Sequence, residues 1–248
     1  MNFDVVTFCK SYFKCWAKAM SEDATTKYSL SSKAWTAFHM EQILYPFAET
    51  LNAREGYHYK TKKCPTNAAG TCPRNCNCNY ETSWAKEYYR VDFSLYYYPN
   101  NYNWCADFFI EHENAHFELR EDGSVKQQGW LGEFMKLLPL KCSDIGARVI
   151  ISYDSFVNLD NKINYLCRML NDTNSICRQS LANSPILIIL GPTLSTIRKT
   201  TATDFRIITC TCQNEKWRVE CNTLENVIGN DDIKQIFSNM HAYLKKQK

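Results

Sequence analysis

Glycine is scarce in this chain, with eight among 248 residues. None falls in a GxGxxG or GxxxxGKS/T pattern, so folds built on glycine-rich phosphate loops are disfavoured. Long apolar runs are missing too. The longest, Pro185-Ile186-Leu187-Ile188-Ile189-Leu190, is far shorter than the ~20 residues a helix needs to cross a bilayer. The opening stretch, MNFDVVTFCKSYFKCWAKAM, has lysines interrupting its apolar residues and lacks a small-residue cleavage site. It does not read as a signal peptide, and a cytoplasmic protein with no membrane association is expected. Nor is there an excess of one charge: 29 Lys and Arg against 26 Asp and Glu leave a net charge of +3. That excludes a histone-like electrostatic binder but leaves room for a local basic groove, with clusters at Lys60-Lys62-Lys63, Arg198-Lys199 and Lys245-Lys246-Lys248. Internal repeats and low-complexity segments are absent as well.

What is present is a core. The chain is 45% hydrophobic and 14% aromatic, enough for one large domain over residues 1–248. Thirteen cysteines are many, and the number is odd. Without a secretory signal they read as mostly reduced thiols rather than a disulfide framework. Cys64, Cys72, Cys76 and Cys78 crowd a Pro-, Gly- and Asn-rich insert at about 61–80. Two readings stand there: a structural Zn²⁺ site, or loop thiols, since the paired CxxC knuckles of zinc ribbons are lacking. Cys210, Cys212 and Cys221 fit small core residues of two strands.

Residues 1–30 read as a helix and a polar loop. A second helix is predicted from Ser31 or Ser32 to about Asn52, with Ala34, Ala37, Phe38, Glu41, Leu44, Ala48 and Leu51 on one stripe and a kink or restart at Pro46. Two strand-like stretches follow, at 89–96 and 106–114, facing each other across Pro99-Asn100-Asn101. A turn at Glu121-Asp122-Gly123-Ser124 leads into a predicted helix over 125–138. The β-branched run at 147–153 reads as a buried central strand. Next come a helix at 160–181, an apolar strand at 185–191, a hairpin of 205–210 with 217–221 turning at Asn214-Glu215, and a helix at 231–245. The order describes an α/β fold, a central mixed sheet flanked by helices on both faces.

The two early strands carry the chemistry. The first holds Arg90-Val91-Asp92-Phe93, and the second, Ile110-Glu111-His112-Glu113-Asn114, begins its acidic stretch nineteen residues after Asp92. Alternation along a strand points Glu111 and Glu113 to the same side. Antiparallel pairing lets Asp92 join them. Three converging carboxylates repel one another, and a hard divalent cation such as Mg²⁺ relieves that repulsion. Glu41, a carboxylate inside an otherwise apolar stripe, is either a helix-pairing residue or a fourth acidic member.

These residues, with the helix Trp130-Leu131-Gly132-Glu133-Phe134-Met135-Lys136-Leu137 and the strand after it, resemble the PD-(D/E)XK nuclease superfamily and its restriction-endonuclease-like core. The resemblance covers about residues 33–195 and leaves out the cysteine-rich insert and the C-terminal hairpin and helix at 203–248. It implies a Mg²⁺- or Mn²⁺-dependent nuclease acting on DNA, with Asp92 and Glu111 as metal ligands and Glu41, or else Glu49, assisting. Two departures stand out. No proline precedes Asp92, and Glu113 occupies the place of the family's lysine, where it can hold a second metal or accept a proton from water. Lys136 on the following helix is a candidate replacement for the missing cation. Cutting both strands of a duplex calls for two sites, hence a homodimer is a natural expectation.

The same segment also reads His112-Glu113-Asn114-Ala115-His116, which matches H-E-x-x-H, the zinc peptidase pattern. That motif must lie on a helix, whereas the aromatic approach from Trp104 to Ile110 reads as strand. A non-catalytic nucleic-acid-binding or interaction protein on the same fold is the remaining alternative.

Overall fold

In the computed structural model of the chain, residues 3–21, 35–36, 38–55, 91–95, 107–142, 146–172, 184–192, 204–214 and 216–246 are described, with 51–55, 94–95 and 239–246 described by backbone alone. In chain order the elements are α1 (Val5–Ser21), a π-helical turn (His39–Leu44), α2 (Tyr45–Glu55), β1 (Phe93–Leu95), β2 (Phe108–Glu113), β3 (Glu118–Leu119), β4 (Val125–Gln127) and α3 (Trp130–Leu137). They continue with β5 (Ala147–Tyr153), α4 (Leu159–Asp172), β6 (Ile186–Gly191), β7 (Arg206–Gln213), β8 (Lys216–Thr223), α5 (Leu224–Ile228) and α6 (Asn230–Lys246).

The two apolar runs make the middle of the sheet. β5 is buried at all seven positions and β6 at all six. They run parallel, Val149 opposite Leu187 and Ile151 opposite Ile189. Parallel strands are covered on both faces, so continuous rather than alternating apolar sequence forms them. β2 joins β5 in parallel, and β1 closes that edge antiparallel to β2. On the other side β7 and β8 add an antiparallel pair, turning at Asn214 (φ 49°). The outcome is a six-stranded mixed sheet of order β1-β2-β5-β6-β7-β8, with β3 and β4 as a separate ribbon.

Alternation divides the core into two layers. On one face Ile110, Val149, Ile151 and Leu187 lie under α1 and α6 in a layer rich in rings. Phe13 and Trp16 of α1 meet Phe205 edge-on at 4.8 and 5.1 Å between centroids. Each such buried ring contributes about 1.5–3 kcal/mol by its area, and edge-on pairing adds about 0.5–1.5 kcal/mol. On the other face Phe109, Ile150, Ile188 and Ile208 lie under Phe134 and Leu137 of α3 and Leu166 and Leu170 of α4. The helices therefore flank both faces, as the sequence predicts.

Several boundaries differ from expectation. Residues 125–127 are strand, and the helix begins only at Trp130. The hairpin closes through Arg120 and Ser124 around Gly123 (φ 80°). α3 starts where it does because Gly129 (φ 41°) passes so close to His116 that a Cβ would fall 2.1 Å from its carbonyl oxygen. The second helix restarts at Tyr45, next to Pro46, through the π-helical turn. Cys221 is exposed, because its side of the edge strand β8 faces solvent; Cys210 is buried, and none of the seven described cysteines is in a disulfide. The cysteine-rich insert with Cys64, Cys72, Cys76 and Cys78, the turn at 99–101, and the end of the helix predicted to 181 lie outside the described residues.

Gly146 marks the tightest backbone approach. A Cβ there would lie 1.7 Å from the carbonyl oxygen of Asp107, where β2 and β5 begin side by side and Ala147 N–H bonds that same oxygen at 3.0 Å. Gly146→Ala is expected to lower the unfolding free energy by at least about 1–3 kcal/mol, the cost of forced overpacking. Urea titration reads this directly, and an unchanged midpoint would contradict so close an approach.

Candidate active site

The β1–β2 ladder pairs Phe93 with Ile110 and, carried one residue further, places Asp92 opposite Glu111. Directly opposed residues share a face of the sheet. Asp92 Oδ2 accepts the backbone N–H of His112 at 3.1 Å, which ties the carboxylate to the neighbouring strand. Glu111 is only 2% exposed. From α3, the Lys136 ammonium comes within 2.7 Å of Glu111 Oε1 and 2.6 Å of Glu133 Oε2. Glu133 and Lys136 are three apart on the helix and so share the face turned to β2.

The electrostatics follow from burial. Loss of water, opposed by the Lys136 ammonium and reinforced by the charges of Asp92 and Glu133, pushes the Glu111 carboxyl up to about 9. Burial also works against the Lys136 charge, but contact with Glu111 and Glu133 outweighs it and leaves Lys136 above its ordinary value. The Lys136 ammonium is the partner that these two oxygens, both sealed from solvent, share. Burial thus favours a proton on Glu111, and a site this dry strengthens every charge interaction within it.

The helix carrying Lys136 is secured at both ends by the connection between β2 and β3, by β5 and by the loop after β5. At the start, Trp130 N–H bonds the Ala115 carbonyl at 3.2 Å and the Trp130 indole N–H donates to Asp154 Oδ2 at 3.1 Å. Asp154 is itself completely buried and paired with Lys162 of α4 at 2.7 and 2.8 Å. Past the end of the helix, the Arg148 guanidinium donates to the Leu138 carbonyl at 2.8 Å and to the Ser184 carbonyl. Burial brings Arg148 down to about 10. None of Arg148, Asp154 and Lys162 stands out in the sequence, because each is a lone polar residue within or beside an apolar element.

Behind Glu111, on the opposite face, lies a buried hydrogen-bonded chain. His112 Nδ1 lies 3.2 Å from Thr36 Oγ1 and His112 Nε2 lies 3.0 Å from the Tyr153 hydroxyl. That hydroxyl accepts the Trp35 indole N–H at 2.6 Å and lies 3.4 Å from His39 Nδ1. His39 Nε2 in turn meets the Tyr12 hydroxyl at 2.9 Å. Burial holds His39 well below the ordinary histidine range and brings His112 down to about 3, so both rings are neutral.

The remaining sequence candidates are placed elsewhere. Glu113 is the last residue of β2, and its Oε1 turns back to accept the Ala115 N–H at 2.7 Å. Glu41 lies on the π-helical turn, whose buried residues belong to the layer on the other side of the sheet from Glu111. Glu49 is exposed on α2. The H-E-x-x-H pattern begins on a strand rather than a helix: His112 faces the rear layer while His116 is half-exposed, 3.8 Å from Glu118. In this arrangement no three His, Cys, Asp or Glu side chains among the described residues are grouped closely enough to hold a metal ion. No helix among them is long and apolar enough to cross a membrane. Comparison of the chain with protein-family models, curated proteins and solved structures found no match.

Proposed function

We propose that the chain is a divalent-metal-dependent nuclease hydrolysing phosphodiester bonds in DNA. The observation that carries this reading is Asp92 opposite a buried Glu111, with the Lys136 ammonium 2.7 Å from the latter. The donor set suits Mg²⁺ or Mn²⁺: hard carboxylate oxygens from adjacent strands, where a bound cation would displace the proton that burial keeps on Glu111. Asp92 and Glu111 would hold the ion, which supplies an activated water and stabilises charge on the phosphorus centre.

The chain's own residues do the rest. The His112 N–H fixes the direction of Asp92, and burial behind α3 keeps competing water from Glu111. Lys136 replaces the cation that Glu113 does not supply. It reaches the site from a helix instead of a strand, and its ammonium neutralises charge developing on the phosphoryl oxygens.

The test is cleavage of supercoiled, linear and single-stranded DNA, and of RNA, with Mg²⁺ or Mn²⁺. Asp92→Ala and Glu111→Gln are each expected to lower the rate by at least about 10²-fold. Lys136→Met should fall in the same direction. Undiminished cleavage by Asp92→Ala would sink the proposal. Absence of cleavage on every substrate would favour a binding protein on the same fold.

A further inference from the structure

We infer that Glu133, delivered by the helix α3, is the third carboxylate of the cation site in place of Glu113 and Glu41, and that the Lys136 ammonium holds the cation position when no divalent ion is bound. This rests on the reading of Asp92 and Glu111 as metal ligands and goes further by naming the ligand set and what competes for it.

Three observations converge. Glu111 Oε1 and Glu133 Oε2 flank one point in space, occupied by the Lys136 nitrogen at 2.7 and 2.6 Å. Both oxygens are sealed from solvent, and the Lys136 ammonium is the partner they share. They therefore lean on a positive charge, which is the demand a metal ion meets. Asp92, opposite Glu111 on the same face, is the third acid within electrostatic reach of that carboxyl. Glu133 likewise raises that carboxyl by its charge.

The distances explain why the carboxylates do not yet form a metal-sized group. Two oxygens held apart by an ammonium stand wider than two held by Mg²⁺, whose bonds are about 2.0–2.1 Å. Exchanging one cation for the other draws each oxygen inward by about 0.6 Å, well within side-chain motion. Lys136 is equipped to withdraw, since its side chain is 33% exposed and has a four-carbon stem leading to solvent. Glu113 is poorly equipped to enter, because its Oε1 would have to release the Ala115 N–H. Glu41 would have to cross from the helical layer on the far face.

The experiment is Mn²⁺ binding to the full chain without nucleic acid, measured by electron paramagnetic resonance at constant ionic strength and competed with Mg²⁺. Glu133→Gln is expected to weaken binding by about 10-fold or more, while Glu113→Gln and Glu41→Gln remain within about 2-fold. Glu133→Asp should recover part of the loss. Lys136→Met should tighten binding several-fold, because the competing ammonium is gone, even though it slows cleavage. Circular dichroism and urea midpoints accompany each variant, and the half-buried Glu133 tolerates an isosteric amide. Wild-type affinity retained in Glu133→Gln, or lost in Glu113→Gln, would overturn the assignment. Weaker binding by Lys136→Met would overturn the exchange. If the wild-type chain binds no Mn²⁺, this inference and the nuclease reading fall together. If it binds and only Asp92→Ala and Glu111→Gln abolish binding, the nuclease reading stands without Glu133.

Discussion

Lys162→Met will lower the unfolding free energy by about 3–5 kcal/mol, one of the largest single-residue effects in the molecule. Asp154 is completely buried, and the ammonium of Lys162, itself 3% exposed, touches both of its oxygens. Deleting the cation leaves a buried carboxylate with two neutral donors, the Trp130 indole and the Phe156 backbone N–H at 3.0 Å. The double variant Asp154→Leu/Lys162→Met should regain much of the loss, because a buried ion pair replaced by apolar groups is often close to neutral. Recovery stays incomplete, since those two donors remain unsatisfied. Urea unfolding of the two single variants and the double closes the cycle. A cost below about 1 kcal/mol would place the pair among solvent-screened surface bridges.

The metal-free protein, kept in chelator, is expected to be most stable near pH 6.5 and to lose stability on both sides. Three buried groups produce the peak. His39 and His112 refuse protons in the folded state that the unfolded chain takes up below the ordinary value of 6.5. Glu111, up to about 9 when folded, keeps a proton that the unfolded chain releases above 4.5. From pH 6.5 to about 8 Glu111 sets the slope: the folded state binds one proton more, and stability falls by about 1.4 kcal/mol per unit as pH rises. Above that the buried Cys9 and Cys210 thiols, raised by burial, steepen the fall. Between 4.5 and 6.5 the unfolded chain gains two histidine protons against the one on Glu111. The net is one, and stability falls by about 1.4 kcal/mol per unit as pH decreases. Below 4.5 Glu111 is protonated in both states, and the slope doubles until His112 accepts its proton near pH 3. Unfolding titrations at half-unit intervals measure all three limbs. Glu111→Gln should erase the limb between pH 6.5 and about 8 and double the slope between pH 4.5 and 6.5. A wild-type curve that is flat from pH 6.5 to 9 would contradict the burial of that carboxyl.

The middle of the sheet was legible in the sequence because β5 and β6 are covered on both faces, and such strands announce themselves as unbroken apolar runs. The hairpin of β7 and β8 was legible through alternation and its Asn214 turn. The β3–β4 ribbon was not: Val125-Lys126-Gln127 has no strand signature, and its conformation depends on Gly129 meeting the His116 backbone. At the site, alternation correctly set Glu111 apart from His112 and supported the Asp92 pairing. It also set Glu113 beside Glu111, but a strand's last residue obeys whatever backbone follows, and the Glu113 carboxylate turns to the Ala115 N–H. The stripe containing Glu41 assumed 3.6 residues per turn, and the π-helical turn rotates the residues after it out of that count. Lys136 was legible as a candidate cation on its helix, while Glu133, three residues before it, was not set beside the acidic strands. Their meeting with Glu111 depends on where Trp130 and Leu138 are fastened, a tertiary fact that no local pattern encodes.

The buried chain behind Glu111 has a consequence for where its protons reside. The Tyr153 hydroxyl has one proton to give and already accepts the Trp35 indole N–H. Of the two rings it touches, one must therefore donate to it and the other accept from it. If His39 donates from Nδ1, its Nε2 accepts from Tyr12, Tyr153 donates to His112 Nε2, and His112 Nδ1 carries the proton toward Thr36. If the order reverses, every donor becomes an acceptor. Both imidazoles are then Nδ1–H tautomers or both are Nε2–H, and a mixed pair leaves Tyr153 with a proton too many or too few. Two rings 4.2 Å apart in the core thus behave as a single two-position element, whose setting is shared from Tyr12 to the strand that carries Glu111.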